Sequence, residues 1–472
     1  MRHINKHSDL TAIDYTQDEP FIFSVKGKLL TCERLLRLVP GKRMVFSGKW
    51  KRQKVVVKIF LTDKRGEAVR QEKDNLALLE RNNFLVPELL YGGRSDIKRV
   101  RVLIFHELAT EENALSIFDE EDKAALKKVS AIQKQVLKLH RYGFIQEDLH
   151  VDNFLFTEKG IYLLDAARIK QVSSDEITLK NIALFYAQLP IRFDANIQDL
   201  FSEYCEVSHR HLNVDLENRL FEHVKMLRRK RGEAYVKKAF RRSTEFAVFS
   251  KFNLSGGYKR QLVNEQMLAL IKKPERFMKK NPTEILKAGN TCTVFKVKVG
   301  EEFIVVKRFN IKSMTHYALH CLRVSRAEIN WRVANLLRLF GVQTPEPLGY
   351  LEKDLVGLGG RSYYFMRYEK GDLLRDHFEN TIDETVVNNV ADLFLSFQKL
   401  LLSHGDAKAT NFLVENKKIS VLDLDSVTWY KKERRWKKAF AKDLARFRKN
   451  WLRSHRVLKA FDVAFREKGV KS

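Results

Sequence analysis

The residues best suited to chemistry lie in the C-terminal half of the chain, where an Asp, an Asn and a second Asp follow one another at fixed spacing. Asn411 comes five residues after Asp406, and Asp423 comes seventeen residues after it. Metal-assisted phosphoryl transfer uses such a set: one carboxylate accepts the proton of the attacking hydroxyl, while an amide and a second carboxylate hold magnesium ions. We therefore predict that Asp406 is a catalytic base and that Asn411 and Asp423 bind Mg²⁺.

The same three residue types occur 258 residues earlier, at Asp148, Asn153 and Asp165. The tripeptide Asn-Phe-Leu and the dipeptide Leu-Asp are shared at the same offset. Acidic and amide residues favour surface turns, but that preference does not explain three positions repeated in register. The repeat predicts an internal duplication of a whole domain, with Asp148 as a second candidate base and Asn153 and Asp165 as candidate metal ligands.

A lysine inside an apolar strand is also repeated. Lys58 lies in the run Val55–Phe60, and Lys307 lies in the run Phe303–Phe309. Such a lysine usually faces outward, because lysine is seldom buried without a partner. A kinase, however, needs a strand lysine to bind the α- and β-phosphates of ATP, and both lysines are candidates for that role.

A helix carrying a glutamate must follow each strand if the lysine is to be oriented by a carboxylate. Ala68–Glu80 is predicted to be the first such helix, with Glu72 as the candidate and Glu67 as its competitor. Val324–Phe340 is predicted to be the second, with Glu328 near its start.

The segment before the second lysine strand predicts two strands joined by a turn at Gly289. Backbone amides of such a turn, with the hydroxyls of Thr291 and Thr293, could cover nucleotide phosphates. An ordinary hairpin is the alternative, since a single glycine is a weak signal.

Amphipathic helices are predicted to deliver the two acidic loops. Ala124–Leu139 leads to the loop of Asp148, and Val386–Leu402 leads to the loop that begins at His404. Arg43–Trp50 and Lys54–Phe60 are predicted to be paired strands. Each half is thus expected to combine a strand-rich part with a helical part.

Domain organisation follows from the length and the repeat. The chain of 472 residues is too long for one ordinary core. The stretch 175–278 is predicted to be mostly helical and increasingly basic, and Lys272–Pro282, with two prolines and several lysines, is predicted to be a linker. We expect a first domain at residues 1–275 and a second at 276–472.

A second helix with a mixed surface is predicted near the C-terminus, within Lys431–Arg453. Apolar residues recur there at helical spacing among lysines and arginines; they are Trp436, Phe440, Leu444, Phe447 and Trp451. Packing in a core is the favoured interpretation, with binding at a membrane surface as the alternative.

The net charge of +28 predicts polyanionic partners, which include anionic lipid head groups, phosphorylated substrates and nucleic acid. No nucleic-acid-binding motif accompanies the charge, so a specific nucleic-acid partner is not expected. The four cysteines are scattered without metal-ligand or disulfide spacing, which fits a reducing cytoplasm.

The first twenty residues lack the apolar core of a secretory signal, and no apolar run approaches the length that spans a bilayer. We expect a soluble or peripheral protein.

These motifs together resemble the protein-kinase-like fold and, within it, the lipopolysaccharide kinase family of Gram-negative bacteria, which phosphorylates Kdo or core heptose. The Val-Lys pairs at Lys58 and Lys307, the Gly-Val-x-Thr-Pro segment 341–345 and the two acidic loops carry the resemblance. It covers roughly residues 40–200 and 285–450. The resemblance implies an α+β fold with two tandem kinase-like domains, each a small β-rich lobe and a mainly helical lobe.

The resemblance also implies the cofactors, the substrate and the cellular location. ATP and Mg²⁺ would be the cofactors, and a lipopolysaccharide core or lipid A–core glycolipid would be the acceptor. The protein would be cytoplasmic, with peripheral contact at the anionic inner membrane. Lys58 and Lys307 would bind ATP phosphates and pair with Glu72 and Glu328. Lys408, two residues after Asp406, matches a lysine that many kinases direct at the γ-phosphate.

Several positions depart from the usual pattern. The histidine two residues before the catalytic Asp is present as His404, but it is replaced by Gln146 in the first half. A later structural Asp of the fold is expected at Asp443, with Asn181 as the first-half counterpart. A kinase for proteins or small molecules and a non-catalytic tandem scaffold remain alternatives, and which half is active stays open.

Overall fold

A computed structural model describes residues 1–17, 19–63, 65–109, 112–114, 117, 122–251, 253–310, 324–353, 361–379 and 382–471. Within these residues the chain divides into two units. The first comprises Met1–Leu189 and Phe193–Arg231, and the second comprises Pro190–Arg192 and Gly232–Ser472. Both units mix helices with mainly antiparallel sheets, as expected for an α+β fold.

The first unit is built around a seven-stranded sheet with the strand order β1-β2-β3-β4-β5-β7-β6. Its strands are β1 (Arg2–His3), β2 (Phe21–Val25), β3 (Lys28–Val39), β4 (Arg43–Trp50), β5 (Gln53–Phe60), β6 (Leu89–Arg94) and β7 (Arg101–His106). Five further short strands form two small sheets; they are β8 (Glu112–Asn113), β9 (Phe144–Gln146), β10 (Phe154–Thr157), β11 (Gly160–Leu163) and β12 (Ile169–Gln171). The predicted pairing of β4 with β5 is confirmed, and it places Lys58 between Val45 and Leu103 on the neighbouring strands.

The helices of the first unit follow the predicted order. They are α1 (His7–Thr11), α2 (Glu67–Arg81), α3 (Asp122–Arg141), α4 (Asp175–Tyr186), α5 (Ile197–Val207) and α6 (Val214–Lys238), the last of which contains the division between the units. The predicted helices at 68–80 and 124–139 are confirmed as α2 and α3. Their apolar faces are buried in one core with α4 and α5, so this core supports the acidic loop that follows α3.

The second unit repeats the plan around a seven-stranded sheet with the order β13-β14-β18-β19-β17-β16-β15. Its strands are β13 (Phe246–Lys251), β14 (Leu254–Lys259), β15 (Thr283–Lys287), β16 (Cys292–Val299), β17 (Glu302–Phe309), β18 (Pro347–Lys353) and β19 (Ser362–Arg367). The small sheets contain β20 (Asp372–Leu373), β21 (Leu402–Ser403), β22 (Phe412–Glu415), β23 (Lys418–Val421) and β24 (Thr428–Trp429). Lys307 on β17 is paired with Val294 and Tyr364, which is the placement that Lys58 has in the first unit.

The helices of the second unit are α7 (Glu265–Lys272), α8 (Pro274–Lys280), α9 (Arg326–Leu339), α10 (Leu374–His377), α11 (Glu384–Leu400), α12 (Glu433–Lys449) and α13 (His455–Glu467). The carboxylate of Asp383 caps α11 by accepting hydrogen bonds from the amides of Thr385 and Val386. Leu401, with φ of 57°, ends that helix and turns the chain toward the acidic loop. The predicted helix 386–402 is thus confirmed with its end two residues earlier.

The stretch 232–275 belongs to the second unit, in contrast to the predicted first domain of residues 1–275. β14 pairs with β18, so the hairpin β13–β14 extends the sheet of the second unit. A Cβ at Gly256 would lie 2.5 Å from the carbonyl oxygen of Tyr350, so glycine at this position permits close strand pairing.

The predicted linker Lys272–Pro282 is wrong in its centre, because Pro274–Lys280 forms α8. Pro274 occupies the first turn of this helix, where its missing N–H is not needed. Pro274 and Met278 are buried, so the segment packs within the second unit.

The apolar stripe near the C-terminus lies in the core of the second unit. Trp436, Phe440, Leu444 and Phe447 on α12, together with Trp451, are buried there. Packing is therefore the correct interpretation of the stripe, and the opposite face of α12 carries the charges. Within the described part of the chain, no helix combines the length and apolar character needed to cross a bilayer.

Candidate functional site

Asp406 lies in the loop between β21 and β22, where two cations contact its carboxylate. Lys408 Nζ lies 2.7 Å from Asp406 Oδ2, and Arg446 Nε on α12 lies 3.4 Å from Asp406 Oδ1. Lys408 was predicted at this site, whereas Arg446 was not. The carboxylate of Asp406 is thus held by one residue of its own loop and by one residue of α12.

Asp443 on α12 holds the acidic loop in place. Its carboxylate accepts hydrogen bonds from Ser403 Oγ (2.7 Å), from the amide of His404 (2.6 Å) and from the amide of Gly405 (2.9 Å). The side chain is buried, and this burial raises the pKa of Asp443 although the hydrogen bond from Ser403 opposes the shift. The prediction that Asp443 is a structural Asp of the loop is confirmed.

Replacing Asp443 by Ala is expected to lower the free energy of unfolding of the second unit by about 3 kcal/mol or more, because three donors lose their buried acceptor. Tryptophan fluorescence would report this, since four of the five tryptophans lie in the second unit. Asp462→Ala is the matched control on α13. It removes an exposed partner of Arg448 and is expected to cost less than about 1 kcal/mol. Equal losses in the two variants would contradict the anchoring role.

Asn411 and Asp423 are the predicted metal ligands of the second unit. Asn411 Nδ2 donates to the carbonyl oxygen of Asp406 at 2.8 Å, which leaves its amide oxygen as a ligand. Asp423 Oδ1 lies 3.2 Å from Lys307 Nζ. Burial works to raise the pKa of Asp423, but Lys307 outweighs it and holds the pKa below its ordinary value.

This donor set fits a hard divalent cation. Amide and carboxylate oxygens are the ligands that Mg²⁺ prefers, and Mg²⁺ usually keeps waters and binds one or two carboxylates together with substrate phosphates. The described residues contain no cluster of three or more His, Cys, Asp or Glu side chains placed to hold a metal. Asn411 and Asp423 would therefore hold the ion jointly with a bound nucleotide.

Glu328 does not pair with Lys307, in contrast to the prediction. It forms an ion pair with Arg332 one turn along α9, and its amide donates to the capping side chain of Ser325. Among the described residues, Asp423 is the carboxylate in ion-pair contact with Lys307.

Asn330 occupies the position that corresponds to Glu72. Each residue lies fifteen positions before the proline that follows its helix, Pro345 or Pro87. Asn330 is fully buried, and its Nδ2 donates to the carbonyl oxygen of Arg326. Its amide oxygen has no hydrogen-bond partner in the described part of the chain. Asn330 can be identified in the sequence if positions are counted back from the two prolines and not forward from the two lysines.

Arg326 at the start of α9 connects the two loops around the candidate nucleotide site, and the sequence analysis missed it. It forms an ion pair with Asp425, two residues after Asp423. Its Nη1 donates to the carbonyl oxygen of Thr291 at 3.4 Å, and its guanidinium lies over the ring of Phe309. Burial and the neighbouring Asp423 raise the pKa of Asp425 against the opposing effect of Arg326.

The predicted turn at Gly289 joins β15 to β16. A Cβ at Gly289 would lie 2.9 Å from the carbonyl oxygen of Cys292, so the tight turn requires glycine. Asn310 at the end of β17 donates through Nδ2 to the Gly289 carbonyl and to Thr293 Oγ1, each at 3.3 Å. Glycine and threonine thus shape this turn, as the hairpin prediction requires.

The first unit contains the predicted pair of Lys58 and Glu72. The two side chains form a buried ion pair, and Lys58 Nζ also lies 3.2 Å from Asp165 Oδ1. Burial raises the pKa of Glu72 although Lys58 lowers it. The competitor Glu67 is exposed at the first residue of α2, so Glu72 is the partner of Lys58.

The acidic loop of the first unit has a different support. Asn153 Nδ2 donates to the carbonyl oxygen of Asp148 at 3.0 Å, as in the second unit. The carboxylate of Asp148 is exposed and has no ion pair within the described residues, and His150 contacts Asp152 instead. Asp148 therefore lacks the two cations that contact Asp406.

Neutral side chains anchor this first loop. Gln146 Nε2 donates to the carbonyl oxygen of Asp165 at 2.6 Å, and Asn181 Nδ2 donates to the carbonyl oxygen of Gln146 at 2.8 Å. His140 Nε2 lies 3.0 Å from Asn181 Oδ1, and its Nδ1 lies 2.8 Å from the hydroxyl of Tyr204. Asn181 is the counterpart of Asp443 by contact, as predicted.

His140 is expected to make the first unit sensitive to acid. Burial lowers the pKa of His140 from 6.5 to about 4, although the hydrogen bond with Asn181 opposes the shift. Below pH 6.5 the unfolded chain binds a proton that the folded chain does not, so stability falls by about 1.4 kcal/mol per pH unit down to about pH 4. Circular-dichroism melts at pH 7.5 and pH 5 would show a smaller loss of Tm for His140→Gln than for the wild type. Equal losses of Tm in the variant and the wild type would show that His140 is not the source of the acid sensitivity.

Comparisons with known proteins agree with this geometry. Residues 306–464 match the model of the lipopolysaccharide kinase (Kdo/WaaP) family. The match begins at the strand lysine and includes the acidic loop, Asp423 and α12. No curated protein matches the chain.

A solved structure of WaaP in complex with acyl carrier protein is 18% identical to the chain. The likeness covers 44% of this chain and 88% of that one, with a TM-score of 0.33.

The family match contains every side chain of the second-unit site that the geometry brings together around Asp406, apart from the turn at Gly289. Residues 306–464 of the chain are thus similar to the lipopolysaccharide kinase (Kdo/WaaP) family, whose members are ATP-dependent phosphotransferases that act on an alcohol group.

Proposed function

We propose that the chain is a magnesium-dependent kinase that transfers the γ-phosphate of ATP to a hydroxyl of heptose or Kdo in the lipopolysaccharide inner core. One observation carries this proposal. Within the segment that matches the family, Asn411 Nδ2 donates to the backbone carbonyl oxygen of Asp406, and Asp423 Oδ1 lies 3.2 Å from Lys307 Nζ. Base, metal ligands and phosphate-binding lysine thus belong to one arrangement.

We assign the chemistry to the second unit. Asp406 has Lys408 and Arg446 beside it, and its loop is anchored by the buried carboxylate of Asp443. Asp148 in the first unit is exposed, and its loop is anchored by amides. The first unit keeps Lys58, Glu72 and Asp165 together, which supports nucleotide binding there without transfer.

The residues of the second unit divide the work as follows. Asp406 orients the sugar hydroxyl and accepts its proton as the new bond from oxygen to phosphorus forms and the bond between the γ-phosphorus and ADP breaks. Lys307 binds the α- and β-phosphates, and Lys408 neutralises charge on the transferred phosphoryl group. Asn411 and Asp423 would hold Mg²⁺, which supplies neutralisation of phosphate charge when bound.

The similar order of strand lysine, helix, sheet and acidic loop in each unit supports two tandem kinase-like domains. Their boundaries would follow the two units, with residues 232–275 in the second domain. The net charge of +28 supports peripheral contact of a cytoplasmic protein with the anionic inner membrane.

The acceptor assay tests the proposal. The full chain with ATP and Mg²⁺ would be offered core oligosaccharide, a basic protein and an aminoglycoside as separate acceptors. Mass spectrometry should show one added phosphate on the oligosaccharide, and phosphorus NMR should place it on heptose or Kdo. Transfer only to the protein or only to the aminoglycoside would show that the acceptor is not a core sugar. ATP binding without transfer to any of the three acceptors would favour a non-catalytic scaffold.

A further inference from the structure

The exposed face of α12 forms one wall of a pocket of about 730 Å³ that opens beside Asp406. Basic side chains line this wall at intervals of three or four residues, so they share one face of the helix. They are Arg435, Lys438, Lys442, Arg446 and Lys449. The same pocket is lined by Gly405 and Asp406 of the acidic loop, which makes it continuous with the proposed site of transfer.

The charges of the pocket are not balanced by the protein. Five basic side chains face two carboxylates, those of Asp406 and Asp443. Asp443 is committed to the backbone of the acidic loop, and Asp406 contacts Arg446. The other four basic side chains have no carboxylate within ion-pair distance among the residues that the structure describes.

Two other basic residues of the same helix show a contrast. Lys437 and Arg448 lie off the pocket wall, and each has a carboxylate partner, Glu433 at 2.9 Å and Asp462 at 2.8 Å. On the wall, Lys438 precedes Lys442 by four residues and Lys442 precedes Arg446 by four. Like charges at this spacing destabilise a helix, so the fold carries an unfavourable interaction that a bound anion would relieve.

A solvated charged helix face is the simplest alternative explanation. It accounts for exposed lysines but not for their position in a concave pocket that ends at the catalytic loop. The wall from residue 435 to residue 449 is about 21 Å long at 1.5 Å per residue. That length accommodates an oligosaccharide bearing more than one anionic group, with one sugar reaching Asp406.

We propose that this pocket is the acceptor subsite and that it recognises phosphate or carboxylate groups on the sugar chain whose hydroxyl is phosphorylated. The proposal rests on the proposed function and adds to it that the acceptor must already be anionic. Arg435, Lys438, Lys442 and Lys449 would bind those groups, and Arg446 would link the pocket to the base. Charge contacts made equally before and during transfer lower KM without raising kcat.

The test is the double variant Lys438→Gln/Lys442→Gln, which keeps much of each side chain and removes both charges. KM for core oligosaccharide should rise about tenfold, with kcat and the KM for ATP within about twofold. The matched control is Lys437→Gln/Lys459→Gln, which removes two charges from α12 and α13 outside the pocket and should leave all three constants unchanged. An equal rise in the control, or no rise in the pocket variant, would overturn the proposal.

Two treated acceptors identify the recognised group. If phosphate is recognised, the wild type should lose affinity for enzymatically dephosphorylated oligosaccharide, and the pocket variant should show no further loss. If carboxylate is recognised, the same pattern should appear with carboxyl-reduced oligosaccharide. A pocket variant that remains tenfold weaker on an acceptor lacking both groups would show that charge recognition is not its defect.

Direct binding separates this proposal from the proposed function. Calorimetry of the untreated oligosaccharide with the full chain should give weaker binding for the pocket variant, whether or not transfer occurs. If the pocket variant transferred phosphate and bound the oligosaccharide as the wild type does, the subsite proposal would be wrong and the proposed kinase function would stand. If binding depended on the pocket but no protein transferred phosphate, the subsite proposal would stand and the proposed kinase function would be wrong.

Discussion

Replacing Asp406 by Asn is expected to lower kcat for sugar phosphorylation by about 10²–10⁴-fold, the range of general-base contributions. Asn keeps the shape of the side chain but cannot accept the proton of the attacking hydroxyl. Lys408 and Arg446, which now contact the carboxylate at 2.7 Å and 3.4 Å, would lose their ion-pair partner. The affinity for ATP should stay within about threefold, because the role proposed for Asp406 is toward the acceptor and not toward the nucleotide.

The matched control for this variant is Asp372→Asn. Asp372 is an exposed carboxylate on β20 of the same unit, away from the pocket, and its change should leave kcat unaltered. Measuring kcat by ADP release and ATP affinity by calorimetry on both variants separates chemistry from binding. A fall in ATP affinity that matches the fall in kcat would show that Asp406 supports the nucleotide site and is not the base.

Replacing Asp423 by Asn is expected to remove magnesium-dependent ATP binding and to lower transfer by about 10²-fold or more, because phosphate charge is then neutralised by fewer groups. The variant removes the only carboxylate among the predicted metal ligands of the unit. It also leaves the buried Lys307, which is 7% exposed, without its ion-pair partner at 3.2 Å. Titration of ATP affinity against Mg²⁺ would show a wild-type dependence that the variant has lost.

The corresponding variant in the first unit, Asp165→Asn, provides the comparison. It removes the carboxylate 3.2 Å from Lys58 and should change transfer by less than about threefold, because the chemistry is assigned to the second unit. It should reduce nucleotide binding by the first unit only. Equal losses of transfer for the two variants would contradict the division of roles.

Local sequence spacing predicted the acidic loops well, because their geometry depends on neighbours in the chain. The bond from Asn411 Nδ2 to the Asp406 carbonyl, and its counterpart from Asn153 to Asp148, close loops of five residues. The strand lysines Lys58 and Lys307 could be predicted equally well, since a strand with β-branched neighbours fixes their placement. Asp165 and Asp423 each lie 3.2 Å from the strand lysine of their own unit, as the repeated spacing indicated.

The remaining features depend on packing between distant segments. Arg446 reaches Asp406 only because Asp443, three residues earlier on α12, is fixed under the loop. Glu328 appeared suitable because it is a glutamate near a helix start, but helix rotation places the buried Asn330 at the equivalent of Glu72. Sequence spacing after the lysine could not show this, since the two halves differ in length between strand and helix.

The segment 232–275 shows a second limit. The sequence predicted a mostly helical and basic stretch here, yet β14 pairs with β18, a strand almost a hundred residues away. The basic stripe of α12 could be read from helical periodicity, but only the fold shows that it faces a pocket at Asp406.

The most direct test of the account uses phosphate transfer from labelled ATP to core oligosaccharide by two double variants of the full chain. The variant with Asp148→Asn and Asp165→Asn should retain transfer within about threefold of the wild type, whereas Asp406→Asn with Asp423→Asn should abolish it. The account would be contradicted if the first variant lost transfer while the second retained it.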